Sequence, residues 1–331
     1  MGTTSSRAPR IGLVLGSAQP PGETIALARA AEQGGFDELW VGEDYFFTGG
    51  IATAGAALAH TTLPVGIGIL PTTSRHPALL AMELATMAEI YPGRLTAGVG
   101  VGVPDWLEQM GIVPAKPLTA LRNTIGAVRL LLDGGELTTA NDDFVASGVR
   151  LEHAPAVPPA LFLGVGGPKA LRTAGAIADG AILSVLAGEE YVRWAAAAVA
   201  EGGAGEDFDL VAYTFVSMAD DALEARERLR ELFAIYLLAG PRNPMTEAHG
   251  IADEAAHLAA LPFEEAVAKI PDAWIDDLAI VGDPDTCARK IRRLGEAGAT
   301  AVSFCLVPGD DPEAEVARLA AELLPRVRGE R

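Results

Sequence analysis

The stretch LFLGVGGPKALRTAGAIADGAIL, Leu161 to Leu183, reads as a short apolar strand (Leu161 to Val165), a glycine corner (Gly164, Gly166, Gly167), a helix opened by Pro168, and a second strand after Asp179-Gly180. Proline at the first helical position removes an N–H that has no intrahelical partner in any case, and the free amides behind it point out of the helix end. Such an end is a ready anion site. Lys169 and Arg172 in the first turn oppose the helix dipole, at about 0.3–1 kcal/mol each, and a bound phosphate removes that conflict.

The same strand–helix unit recurs on both sides of this stretch. Upstream, apolar runs at Ile11–Gly16, Asp37–Asp44, Leu63–Leu70 and Arg94–Gly102 predict strands, separated by helical spacing at Glu23–Gln33, Gly50–His60 and Pro77–Ile90 and followed by a helix at Thr119–Leu132. Downstream come helices at Glu189–Ala200 and Asp221–Leu238, a strand at Asp209–Met218, a helix at Pro284–Gly295, a strand at Thr300–Leu306 and a last helix at Pro312–Arg326. The strands are nearly continuous apolar runs, as strands buried on both faces should be. A barrel and a doubly wound open sheet both fit such alternation. The barrel is favoured by about eight strands and by a phosphate-type corner late in the chain. An open nucleotide-binding sheet places its corner after the first strand, and Ile11 to Gln19 has no G-x-G-x-x-G. The prediction is an α/β fold, a (β/α)8 TIM barrel forming a single domain over residues 1–331. A helical insertion is expected after strand seven at 240–276, and a hairpin elaboration near 136–152.

At 331 residues, with 50% hydrophobic and 21% charged residues, the chain is long enough for a sizeable core. A formal net charge of −19 with no basic stripe speaks against nucleic acid and anionic membranes and favours a small-molecule substrate. No apolar run reaches the roughly 18–20 residues of a membrane span. MGTTSSRAPR is a polar tail without an apolar signal-peptide core, so the expected location is cytoplasmic. The two cysteines, Cys287 and Cys305, lack metal-ligand spacing and read as reduced buried thiols. The histidines are scattered, no metal site is expected, and hydrolase and zinc readings are rejected.

In a barrel, side chains at the C-terminal strand ends line the active site. Glu43 and Asp44 are adjacent carboxylates at such an end, and strand alternation turns at most one of them to the mouth. Each has two readings: a loop carboxylate capping the helix near Gly50, or a contact to a ligand ring and a proton relay. Gly68 ends a strand that runs on through Arg75 and His76 into a proline-opened helix, where His76 reads as a helix-entry contact. Gly98, Gly100 and Gly102 bare the backbone in a buried strand, either for close packing or for something flat. Trp106 reads as a rim side chain that closes its loop or stacks on a ligand.

Taken in order, FDELWVGEDYF, GIGILPTTSRHPALLAMELATMAEIYPGR, TAGVGVG, LFLGVGGPKALRTAGAIADGAIL and IVGDPDTCARKIRRLGEAGAT resemble the luciferase-like flavin/deazaflavin-dependent oxidoreductase superfamily across nearly the whole chain. GIVPAKPLTALRNTI, DLVAYTFVSM, AGPRNPMTEAHGI and DDLAIVG are similar to the branch using coenzyme F420, and within it to methylenetetrahydromethanopterin reductase-like proteins. The resemblance implies a homodimeric TIM barrel with a non-prolyl cis peptide, here Gly68-Ile69, behind the coenzyme ring. It implies the coenzyme phosphate on Gly166, Gly167, Pro168 and Lys169, with Gly98, Gly100 and Gly102 beside the ring and ribityl chain and Gly164 of the corner also among the coenzyme-binding residues. The implied activity is hydride transfer between the deazaflavin C5 and a small organic substrate, with Asp44 or Glu43 assisting proton transfer. Two alternatives stay open: an FMN-dependent luciferase-like monooxygenase, and a non-catalytic flavin- or deazaflavin-binding protein. Val14 stands where the methanopterin reductases carry a glutamate and Asp44 where many relatives carry a histidine, which weighs against methylenetetrahydromethanopterin as substrate. Val103 replaces the strand-four glutamate of the sugar-phosphate dehydrogenases, which weighs against glucose 6-phosphate.

Overall fold

The computed structural model describes residues 8–17, 19–309 and 311–329. Of the polar tail read at MGTTSSRAPR, residues 1–7 lie outside them, and Arg10 already belongs to the first strand. Eight parallel strands close on themselves: β1 (Arg10–Leu15), β2 (Glu38–Val41), β3 (Val65–Pro71), β4 (Leu95–Gly100), β7 (Ala160–Gly164), β8 (Gly180–Leu183), β9 (Asp209–Met218) and β11 (Ala301–Leu306). Each pairs with the next, and β11 returns to β1 through Arg10 opposite Ala301. The expected (β/α)8 barrel is therefore the observed one. Closure leaves the barrel strands no free edge.

Between β4 and β7, β5 (Leu137–Ala140) and β6 (Val145–Val149) form an antiparallel hairpin outside the barrel. After β9 come α8 (Ala222–Ala239) and four short helices, α9 (Pro244–Ala248), α10 (Ala252–Ala259), α11 (Phe263–Lys269) and α12 (Asp272–Leu278). Two elements were not read from the sequence. Helix α4 (Pro104–Met110) occupies a stretch taken as loop, and β10 (Ile280–Gly282) is a three-residue strand pairing with Val216–Met218 at the upper end of β9. The last helix is two, α14 (Pro312–Glu322) and α15 (Leu324–Arg328), because Pro325 lacks the N–H needed to continue the first.

Strand alternation fills the barrel interior in layers. At the floor, Arg10 pairs with Glu38 at 2.9 Å and Asp209 at 3.0 Å, and Glu38 also accepts the Trp40 indole N–H at 2.7 Å. Above lies an aromatic layer in which Trp40 sits 6.0 Å from Phe162 and 5.7 Å from Tyr213, ring centre to ring centre. Glycines make the room: a Cβ on Gly66 would enter the Trp40 ring, and one on Gly180 would lie 2.6 Å from Phe162. Each buried aromatic contributes about 1.5–3 kcal/mol by leaving water, and each tilted or edge pair about 0.5–1.5 kcal/mol more. This layer closes the barrel from below, so a ligand has only the C-terminal mouth.

The outward faces of the strands pack on the surrounding helices. Leu13, Leu39, Ile67, Val99, Leu163, Leu183 and Phe304 are buried in that outer core. Among the described residues, no helix is long and apolar enough to cross a membrane.

Candidate functional site

The glycine corner forms as read. β7 ends at Gly164, Gly167 is the extended residue before α6 (Pro168–Ile177), and Pro168 opens that helix. A Cβ placed on Gly167 would meet nothing within 4 Å, so the space in front of the first α6 amides is open. From α7 (Glu189–Glu201), the buried Tyr191 hydroxyl donates to the Gly166 carbonyl at 2.9 Å and braces the corner from behind. Burial pushes this phenol well above its ordinary range, so it stays a neutral donor. Sequence reading missed Tyr191, which stands 25 residues from its partner. Lys169 is exposed beside the opening. Arg172 is not free for an anion as the sequence suggested, because it pairs with Glu201 at 3.2 Å.

The end of β3 supplies the second wall. The Gly68–Ile69 peptide is cis, as the resemblance implied, and the register against β4 slips between Ile67 and Leu70. The bulge throws the Ile69 side chain across β4 and β7. A Cβ on Gly100 would lie 2.8 Å from Ile69 Cδ1, one on Gly98 would lie 3.5 Å from Ile69 Cγ2, and one on Gly164 would collide with the same side chain. Gly68, Ile69, Gly98, Gly100 and Gly164 therefore belong to one contact set. The bare backbone of β4 first serves a protein side chain, with Ile69 as the partly exposed surface facing the mouth. Gly102 is needed for another reason: its φ is +96°, a left-handed conformation that L side chains rarely adopt.

The two carboxylates separate. Glu43 is buried, accepts the Gly50 amide at 2.9 Å at the start of α2 (Gly50–His60), and is gripped by both terminal nitrogens of Arg75, one at 2.8 Å. This is the helix-capping reading of that residue. Arg75 also reaches Glu83 at 3.4 Å, and its bonds to Glu43 raise the guanidinium pKa above its ordinary value. Asp44 turns the other way, accepts the Ser17 hydroxyl, and lies partly exposed at the mouth. Its negative charge bears on Tyr213, on Cys305 and on Tyr236 of α8. All three have raised pKa values, burial being the main cause in each, and the Cys305 thiol is pushed up to about 12.

His76 is a helix-entry residue. Its Nδ1 accepts the Ala78 amide at 3.1 Å at the start of α3 (Pro77–Ile90), and its Nε2 bonds the Val145 carbonyl at 3.0 Å. Three buried hydroxyls by the bulge have no protein partner: those of Thr72, Thr73 and Tyr213. A Cβ on Gly68 would strike the Tyr213 oxygen. Unpaired buried polar atoms are uncommon and point to a polar ligand or water. Tyr213 was invisible in the sequence because its apolar neighbours give it an ordinary core appearance.

The family model described as luciferase-like monooxygenase matches residues 4–301. The 5,10-methylenetetrahydromethanopterin reductase of Archaeoglobus fulgidus is 28% identical over 315 residues, covering 91% of this chain and 94% of the relative. The F420-dependent glucose-6-phosphate dehydrogenase of Beutenbergia cavernae is 32% identical over 336 residues, covering 93% and 94%. The solved coenzyme F420 dependent tetrahydromethanopterin reductase from Methanopyrus kandleri superposes with a TM-score of 0.86 at 25% identity, covering 97% of this chain and 99% of that one. With a closed barrel, a bulge at the end of strand three and a glycine corner after strand five, this chain belongs to the luciferase-like monooxygenase family.

Proposed function

We propose that the chain is a coenzyme F420-dependent oxidoreductase that moves hydride between the deazaflavin and a small organic substrate at the C-terminal mouth of the barrel. The observation that carries this reading is the glycine corner, an open helix N-terminus with a bare Gly167 and an exposed Lys169. The choice of deazaflavin over FMN is supported by the relatives, whose names specify F420 in the sugar-phosphate dehydrogenase and in the solved reductase.

The residues present fit the group. Gly166, Gly167, Pro168 and Lys169 would hold its phosphate. The Ile69 surface, which Gly98, Gly100 and Gly164 make room for, would seat the flat ring, with Gly68 and Gly102 beside it. The unpaired Thr72 and Thr73 hydroxyls are available to polar atoms of the coenzyme. Once bound, the coenzyme supplies two-electron hydride chemistry, and the protein supplies orientation and exclusion of water. Asp44, partly exposed at the mouth, would accept a substrate proton, while Glu43 holds α2 and Arg75 in position. The whole chain serves as one domain, with the helices of 240–276 as an insertion in it. A cytoplasmic location belongs to the same proposal, as does a homodimer, the latter supported by the apolar outer stripe of α3, where Leu79, Met82 and Ile90 are exposed.

The test is to incubate the purified protein with oxidised coenzyme F420 and a panel of alcohols and amines, and in reverse with reduced coenzyme and carbonyl or imine partners. Loss or gain of the visible deazaflavin absorption is expected with at least one partner. Oxygen-dependent turnover with reduced FMN and none with F420 would replace this reading by the monooxygenase one.

A further inference from the structure

The rim of the mouth is apolar. Phe46 and Phe47 on the β2–α2 loop are 66% and 58% exposed, and Val103 before α4 and Val113 after it are exposed as well. Trp106 of α4 lies 6.1 Å from Phe47, ring to ring, so the two loops meet at an aromatic pair. On the far side Tyr236, near the end of α8, is 48% exposed and stands 5.0 Å from Phe215 at the upper end of β9. Aromatic side chains this open, on the β2–α2 loop and on α8 with Trp106 of α4 beside the first, mark a surface that an apolar ligand completes.

Below the rim the inner wall carries one kind of charge. Asp44 continues the inward-facing series of Glu38 and Trp40, and its Oδ2 accepts the Ser17 hydroxyl. Tyr213 and Cys305 beside it are held neutral by burial. The basic groups of the neighbouring loops are engaged: Arg75 with Glu43 and Glu83, and Arg242 with Asp253. Lys169 stands at the glycine corner, on the side taken by a coenzyme phosphate. An anionic substrate head placed in this mouth would find a carboxylate and, among the described residues, the cations Arg75 and Arg242 already paired, whereas a hydrogen-bond donor would find an acceptor already oriented by Ser17.

From this arrangement we propose that the substrate is an apolar, ring-sized molecule without negative charge that presents an O–H or N–H to Asp44, with the Phe47–Trp106 pair as its apolar wall. The proposal rests on the coenzyme reading only for the chemistry that follows binding; the selectivity belongs to the pocket itself.

The test titrates four probes that share one ring and differ in the head group into the full-length protein, with and without coenzyme F420: benzyl alcohol, benzylamine, benzoate and phenyl phosphate. Binding is read by tryptophan fluorescence, with Trp106→Phe assigning the signal, and by saturation-transfer NMR. The alcohol and the ammonium are expected to bind at least about tenfold more tightly than the two anions. Whichever of the two binds better identifies the donor as hydroxyl or amine. Asp44→Asn is expected to erase the preference, and Phe47→Ala to weaken all four. Judged by the part of the fluorescence change that Trp106→Phe removes, so that an anion held at the glycine corner is not counted, benzoate or phenyl phosphate binding as tightly as benzyl alcohol, or no saturable binding of any ring probe, overturns the proposal. If the probes follow the expected order but coenzyme F420 does not bind, the coenzyme reading fails and the substrate class stands.

Discussion

Gly164 and Gly167 stand three residues apart and make opposite demands on a substitution. A Cβ at Gly164 is driven into the Ile69 side chain, whereas at Gly167 it enters open space in an extended backbone that β-branched residues tolerate. Gly164→Ala should therefore cost about 1–3 kcal/mol of stability through overpacking, measured by urea unfolding. Gly167→Val should leave the melting temperature unchanged and weaken coenzyme binding at least about tenfold, measured by calorimetric titration. Equal affinity in the valine variant would remove the corner from the site. The glycines were legible in the sequence as places of close approach, but what approaches Gly98, Gly100 and Gly164 was not. Ile69 is 29 residues or more away along the chain, and only the bulge turns it toward them.

At the scale of elements, Glu43 shows how the site is held. One carboxylate ties the end of β2 to the first amide of α2 and to Arg75 in the β3–α3 loop. Glu43→Gln keeps the shape but removes the charge that the guanidinium faces, with an expected loss of about 2–4 kcal/mol in urea unfolding. Asp44→Asn, partly exposed and turned to the mouth, should cost less than about 1 kcal/mol and act on substrate instead. A reversal of these two effects would reverse the assignment of the pair. The helices that carry proline openings or clear apolar spacing, such as α2, α3 and α5 (Pro117–Leu132), were legible almost to the residue. The elements that escaped, α4 and β10, are too short to show a period, and tertiary contacts define them.

For the whole molecule, two thiols and two phenols that the fold takes out of water have pKa values raised by burial, while burial lowers that of Lys290. The thiols of Cys287 and Cys305 are pushed from 9.0 to about 12, and the phenols of Tyr191 and Tyr213 are raised too, each chiefly by burial. A raised folded pKa means that the unfolded chain releases these protons first, so the stability they contribute is complete below about pH 9 and is lost as pH climbs toward about 12. The urea midpoint should fall between about pH 8 and pH 10.5, less steeply in Cys287→Ala, and neither thiol should react with iodoacetamide at about pH 8 in the native protein. A flat midpoint across that range would contradict the burial described for these groups. The alternation of strands and helices made the barrel itself legible, because closure needs only the count and the apolar runs. The character of the mouth was not, since Tyr213, Tyr236 and Tyr191 come from strands and helices far apart in the chain.

Whether this mouth is built for a deazaflavin is decided by titrating the purified protein with coenzyme F420 and with FMN. Saturable micromolar binding of F420, weakened in Gly167→Val, together with little or no binding of FMN, is the predicted result. Micromolar binding of FMN with no binding of F420 would contradict it.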